Sequence, residues 1–486
     1  MTRDTRPTPT DVPTDRSPPR RSRRWFLGAG IAGVTAALSP LASATATATA
    51  TAGDSSEPRV VTYYSGWSRY TREYFPEDVP LGAVTDLNYA FLTVASDGTV
   101  EYVDEWGDQE NLAAFRELKA DYPETNYYLS IGGWTESTYF SDAAATAETR
   151  ERFAETAIEF LREYEFDGID IDWEYPGGGG QAGNVTRPED PENYVLLLEE
   201  LRAQLDGAET ADETEYAITM AASASPATAG NLLIEEIEPY LEYVTVMTYD
   251  FAGEWSTETG HNAPLYGEEF SVEASMRWWA DQPISREKLL VGLPFYGRAF
   301  EDVPADDDGF GQPFTAAASI LYDELRERYD LESRSDTDAV TYGWDEAAAA
   351  PWLYDADEET FVSYDDPDSI GLTVEYALEE GFGGVMCWEQ AGDPDGDLLA
   401  VVTGRLAGGV GGPDLDVTGD GNPAQDLTGD GLYEDITGDG QLGFADVVEF
   451  FEHHDGGVIQ GNVASFDFSG NGRVGFDDVV ALFGRV

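Results

Sequence analysis

The chain has 486 residues, 95 of them Asp or Glu and 27 Lys or Arg, for a formal charge of −68. Such acidity is usual in disordered chains, yet 42% hydrophobic and 12% aromatic residues, arranged in regularly recurring apolar runs, predict a folded protein. The charge excludes nucleic acid and anionic membranes as partners, and with only two lysines, Lys119 and Lys288, it matches adaptation to multimolar salt, where screening suppresses long-range repulsion.

The N-terminus carries Ser22-Arg23-Arg24-Trp25-Phe26-Leu27, then a small apolar stretch from Gly28 to Leu41 and an Ala/Thr tract. This resembles a twin-arginine export signal, predicting residues 1–52 as a signal peptide and a secreted, extracellular protein. A spanning anchor needs about 20 strongly apolar residues, so no membrane anchor is expected. Cys387 is the sole cysteine, which rules out an internal disulfide and leaves stability to the core and to metal.

Eight apolar runs then read as strands: Val60 to Tyr64, Leu87 to Thr93, Tyr127 to Ile131, Gly168 to Trp173, Tyr216 to Ala221, Tyr243 to Tyr249, Leu289 to Tyr296 and Gly384 to Trp388. Helical patterns such as Leu112 to Ala120, Tyr194 to Leu205 and Ile370 to Glu380 separate most of them. That alternation predicts an α/β chain folded as a TIM (β/α)8 barrel over residues 58–406, with its chemistry at the C-terminal strand ends. Between the seventh and eighth strands, about 298–365, the spacing is too long for one helix. A helix near Ala316 to Tyr329 and strand-like pieces around Tyr342, Trp344, Trp352, Tyr354 and Phe361 predict a small α+β insertion walling a cleft. Residues 407–413 are a Gly-rich linker by composition, and 414–486 form a separate acidic unit.

The most informative run is Phe166-Asp-Gly-Ile-Asp-Ile-Asp-Trp-Glu-Tyr-Pro176. Alternation along a strand puts Asp170, Asp172 and Glu174 on one face and Ile169, Ile171 and Trp173 on the other. On a solvated edge the triplet would mean nothing. Here the apolar opposite face, and a preceding helix bearing Phe153, Ala157, Phe160, Leu161 and Tyr164 at helical spacing, predict burial. Carboxylates about 6.5 to 7 Å apart on one strand face repel, so at least one proton is retained near neutrality. A carboxylic acid is thereby kept ready to donate.

With Trp173 and Tyr175-Pro176, the Asp167-Gly-x-Asp170-x-Asp172-x-Glu174 pattern resembles the signature of family 18 glycoside hydrolases, chitinases above all. Ser130-Ile-Gly-Gly133-Trp134, Met247-Thr-Tyr249-Asp250, Gly292-Leu-Pro-Phe-Tyr296-Gly-Arg298 and Gly384-Val-Met-Cys-Trp388 resemble the family's motifs on the third, sixth, seventh and eighth strands. The resemblance implies hydrolysis of chitin and chitooligosaccharides without a cofactor. Retaining glycosidases usually set two carboxyls about 5 to 5.5 Å apart across the scissile bond, which Asp172 and Glu174 on one strand face do not do. The family uses the substrate's own acetamido oxygen as nucleophile.

By resemblance Glu174 is the acid and base, Asp172 orients the acetamido group and Asp170 shares a proton with Asp172. Tyr249 donates to the acetamido oxygen, and Met247 and Asp250 line the same subsite. Tyr63, Phe91, Trp134, Trp255 and Trp388 are the aromatic platforms for sugar, and Arg298 is a polar contact. Only three histidines occur, two of them adjacent at His453 and His454, which argues against a His-based triad or metal centre.

Beyond the linker the pattern Asp-x-Thr/Ser-Gly-Asp/Asn-Gly starts at Asp416, Asp426, Asp435 and Asp467. Oxygen ligands at loop positions one, three and five with Gly at six suit Ca²⁺. Two sets are complete: Asp435, Thr437, Asp439, Gln441 and Asp446; then Asp467, Ser469, Asn471, Arg473 and Asp478. Gln441 and Arg473 would bind through their backbone carbonyls. Each loop precedes an apolar helix, Val447 to Phe451 and Val479 to Phe483. This duplicated loop and helix resembles an EF-hand-like dockerin domain, which implies bound Ca²⁺ and a cohesin-type protein partner, while the copies at Asp416 and Asp426 read as an acidic spacer. The rival functions are an endo-N-acetylglucosaminidase acting on glycoconjugates or peptidoglycan, and a chitin-binding lectin, which would require loss of the acid that Glu174 supplies.

Overall fold

The computed structural model describes residues 58–267, 269–331, 334–337 and 339–408, and after those 415, 417–418, 422–425, 432–438, 440, 442–454, 456, 458–459, 463–466, 468 and 473–485. The expected signal peptide and all but the first two residues of the linker lie outside them. Eight parallel strands, Arg59–Ser65, Asp86–Val94, Asn126–Gly132, Gly168–Asp172, Ala217–Ser223, Val244–Met247, Leu289–Pro294 and Gly384–Trp388, match the expected runs to within two residues. They neighbour one another in barrel order, and pairing of the first strand with the second closes the ring.

Strand alternation divides the apolar residues into two clusters. Ile169, Ile171, Leu129, Ile131 and Ile218 face outward onto the helices, while Val61, Tyr63, Ala90, Phe91, Tyr128, Tyr243, Leu290 and Met386 fill the barrel interior. Helix Ala147–Tyr164 shows how the outer layer forms. The Thr146 hydroxyl accepts the Thr149 N–H at 3.2 Å to cap it, and Glu165 in the left-handed region ends it. Its buried face, Phe153, Ala157, Leu161 and Tyr164, covers the fourth strand, each large side chain contributing about 1.5 to 3 kcal/mol. Phe160 packs edge-on against Tyr102.

Between the seventh and eighth barrel strands the chain forms a five-stranded antiparallel sheet in the order Ala316–Leu321, Tyr296–Glu301, Thr360–Ser363, Ala350–Asp355, Val340–Asp345. The helix expected from Ala316 begins only at Tyr322 and ends at Arg328. Residues 316–321 are instead an edge strand paired with Tyr296–Glu301. The final barrel helix, Asp397–Gly408, runs two residues into the Gly-rich stretch.

In the C-terminal segment, helices Phe444–His453 and Phe476–Phe483 bury Val447, Phe450, Val479 and Leu482 against Ile436 and Phe466. Asp446 and Asp478 occupy equivalent places, accepting the N–H groups of Gly443 and Gly475 at 2.7 Å each. In the first loop Asp446 Oδ1 accepts both the N–H (3.0 Å) and the hydroxyl (2.9 Å) of Thr437, and Asp435 Oδ2 accepts the Gly440 N–H at 2.6 Å. Asp439, Gln441, Asp467, Ser469 and Asn471 of the expected ligand sets lie outside the described residues. Arg473 is exposed, and among the described residues no group of three acidic, Cys or His side chains is placed to hold a metal. No helix among the described residues is long and apolar enough to cross a membrane.

Candidate active site

The acidic triplet begins inside the barrel. Strand register aligns Ser130, Asp170 and Thr219 across the third, fourth and fifth strands, and both hydroxyls donate to Asp170 at 2.7 Å. Tyr63, reaching in from the first strand, donates at 2.9 Å. Burial raises the pKa of Asp170 and these hydroxyls pull it back.

Asp172, the last residue of the strand, is buried, and its Oδ1 has no hydrogen-bond partner in the protein. Loss of solvent, then the charges of Glu174 and Asp170, push its pKa well up. No hydrogen bond joins Asp170 to Asp172 in this arrangement, where hydroxyls take the Asp170 oxygens.

Glu174 lies just past the strand end and is 7% exposed. Burial lifts its pKa from 4.5 to about 7, with the Tyr175 side chain opposing and the charge of Asp250 adding to the rise. Two glycines let the third strand come close enough to brace this end. At φ +116° a Cβ on Gly132 would fall 2.1 Å from the Asp172 carbonyl oxygen, and the Gly133 N–H donates to that same oxygen at 2.8 Å.

Tyr249 and Asp250 follow the sixth strand. Burial holds the Tyr249 hydroxyl protonated, and Asp250, in the left-handed region at φ +62°, accepts from Tyr296 at 2.5 Å and from Arg298 Nη2 at 2.5 Å. The Arg298 guanidinium also lies 5.0 Å from the Trp255 ring centre. Arg298 is therefore an anchor for Asp250. Met247, Tyr249 and Trp388 all pack against the interior cluster.

Trp388, at the end of the eighth strand, stacks on Phe91 with ring centres 5.6 Å apart and planes at 22°. Trp134 and Trp255 are about half exposed, at 47% and 53%. Tyr63 departs from its expected role as a platform: it is fully buried and its hydroxyl is committed to Asp170. Sequence reasoning missed Trp67, an exposed ring 6.1 Å from Phe91 and 6.3 Å from Trp388. It also left Ser130, Thr219, Tyr175 and Tyr296 without roles. Ser130, Tyr175 and Tyr296 stood within recognised motifs, whereas Thr219, inside the fifth strand, and Trp67, just past the first, carried no distinguishing signal.

Comparison with known proteins agrees with this geometry. The model for "Glycosyl hydrolases family 18" matches residues 59–393. Chitinase A1 of Niallia circulans is 33% identical over 82% of this chain, which spans 65% of that protein's length. Endochitinase 1 of Metarhizium robertsii is 31% identical over 72% of the chain and 85% of its own length. Among solved structures, a group IV chitinase of Ostrinia furnacalis in complex with allosamidin superposes with a TM-score of 0.67 at 30% identity, covering 73% of this chain and all of that one.

Proposed function

The chain belongs to glycosyl hydrolases family 18, and we propose that it is a secreted chitinase. It cleaves β-1,4 bonds between N-acetylglucosamine units with retention of configuration, using the substrate's acetamido group as nucleophile. The observation that carries this reading is the unpartnered Asp172 Oδ1, buried between Asp170 and the protonatable Glu174. A buried carboxyl oxygen without a partner is costly unless a ligand satisfies it, and an acetamido N–H is a donor of the right kind. Glu174 gives its proton to the leaving oxygen while the acetamido oxygen, steadied by the Tyr249 hydroxyl, bonds to the anomeric carbon. Glu174 then takes a proton from the water that opens the resulting oxazolinium. Trp388, Phe91 and Trp67 form the aromatic platform for the sugar.

The test is paired hydrolysis in multimolar salt. Chitooligosaccharides should yield products of retained configuration by proton NMR, and fully deacetylated glucosamine polymer should remain intact. Comparable cleavage of the deacetylated polymer would overturn substrate assistance. Product analysis also separates chitinase from the N-acetylglucosaminidase alternative.

The arginine pair at Arg23 and Arg24 supports export by the twin-arginine route. Asp435 and Asp446, both buried and linked through Thr437, support Ca²⁺ binding in the first C-terminal loop. The shared placement of Asp446 and Asp478 supports a dockerin-like repeat with a cohesin-type partner.

A further inference from the structure

The fourth strand ends at Asp172, so Glu174 lies beyond the sheet ladder that fixes Asp170 and Asp172. Its backbone is held by side chains instead. The Ser137 hydroxyl, fully buried in the loop after the third strand, accepts the Glu174 N–H at 2.9 Å and donates to the Asp172 carbonyl at 3.1 Å. From the other side, Asn184 Nδ2 donates to the Glu174 carbonyl at 3.1 Å. The two loops that supply these groups are joined to each other, the Val185 N–H donating to the Thr138 carbonyl at 3.0 Å.

We propose that Ser137 is a positioning residue for the acid, with Asn184 as its counterpart across the Glu174 peptide. One hydroxyl spans the interval from Asp172 to Glu174. It thereby fixes the spacing between the carboxyl that receives the acetamido N–H and the carboxyl that protonates the leaving oxygen. A small backbone shift at Glu174 displaces its carboxyl from the glycosidic oxygen, and misplacement by about 1 Å lowers rates by about 100-fold. Ser137 touches neither substrate nor reacting atoms. Its effect runs through the Glu174 carboxyl, which protonates the leaving oxygen as the bond to the anomeric carbon breaks and later takes a proton from water; the first of these transfers is the one kcat/KM reads.

This inference rests on the chitinase reading and has its own test. Ser137→Ala should lower kcat/KM on N-acetylchitotetraose by about 10- to 100-fold, through kcat rather than KM. With dinitrophenyl diacetylchitobioside the phenolate departs without protonation, and the loss in kcat/KM should stay below about threefold. Equal losses on both substrates, or no loss on either, overturn the proposal. Where Ser137→Ala fails to fold, Asn184→Ala in the more open loop decides, with the same contrast between substrates expected and its absence overturning the proposal. A wild-type enzyme inactive on both substrates, or an active Glu174→Gln variant, would instead sink the chitinase reading itself.

Discussion

Replacing Glu174 by Gln should slow turnover severely and stabilise the fold, and the second effect should depend on pH in a way the structure specifies. Burial raises the Glu174 pKa from 4.5 to about 7. Below 4.5 the carboxyl is protonated in both folded and unfolded chains and contributes nothing to their difference. As pH rises from 4.5 to about 7 the unfolded chain ionises first, so the folded state loses about 1.4 kcal/mol per unit. The accumulated cost levels off at about 3 kcal/mol above pH 7. A neutral glutamine of the same shape removes that cost. The stability gap between variant and wild type should therefore widen by about 2 kcal/mol between pH 5.5 and 8.5, measured by urea unfolding of both proteins in the same multimolar salt. Over the same range the wild-type rate should fall as Glu174 loses its proton near pH 7, while the variant is slower by about 100-fold or more at every pH. A gap that does not change with pH would refute the placement of a buried, protonatable acid at this position, as would near-normal chitin hydrolysis by the variant.

Tyr63→Phe removes one of three hydroxyls donated to Asp170, and a hydrogen bond to a charged group is worth about 1.5 to 3 kcal/mol. Unfolding free energy near neutral pH should drop by about 2 kcal/mol, and turnover should fall; an unchanged melt would show that the Tyr63 hydroxyl does not help to hold the Asp170 carboxyl. For the C-terminal unit, calorimetry of the full chain should show a Ca²⁺-dependent transition that EDTA lowers. At 100 times the dissociation constant the stabilisation is about 2.7 kcal/mol, and scans without any Ca²⁺ shift at low or high salt would remove both calcium and the cohesin partner.

Most of the fold was legible because each barrel strand announces itself as an apolar run, and because the motif at Asp170, Asp172 and Glu174 needs only the two-residue period to be read. What stayed hidden depends on register and on tertiary competition. Thr219 solvates Asp170 because pairing aligns them, and no local pattern in the fifth strand distinguishes it from a core residue. Tyr63 was expected as a sugar platform by family resemblance, yet its ring is enclosed and its hydroxyl faces inward. The stretch Ala316–Leu321 is rich in alanine, the strongest helix former, but pairing along Tyr296–Glu301 overrides that local preference. Ser137 and Trp67 sit outside the strands, where the chain obeys no period, and only the folded arrangement brings them to the end of the barrel. The triplet therefore marks the site from sequence alone, whereas the groups that hydrogen-bond to it come from other strands and loops and become visible only once register is fixed.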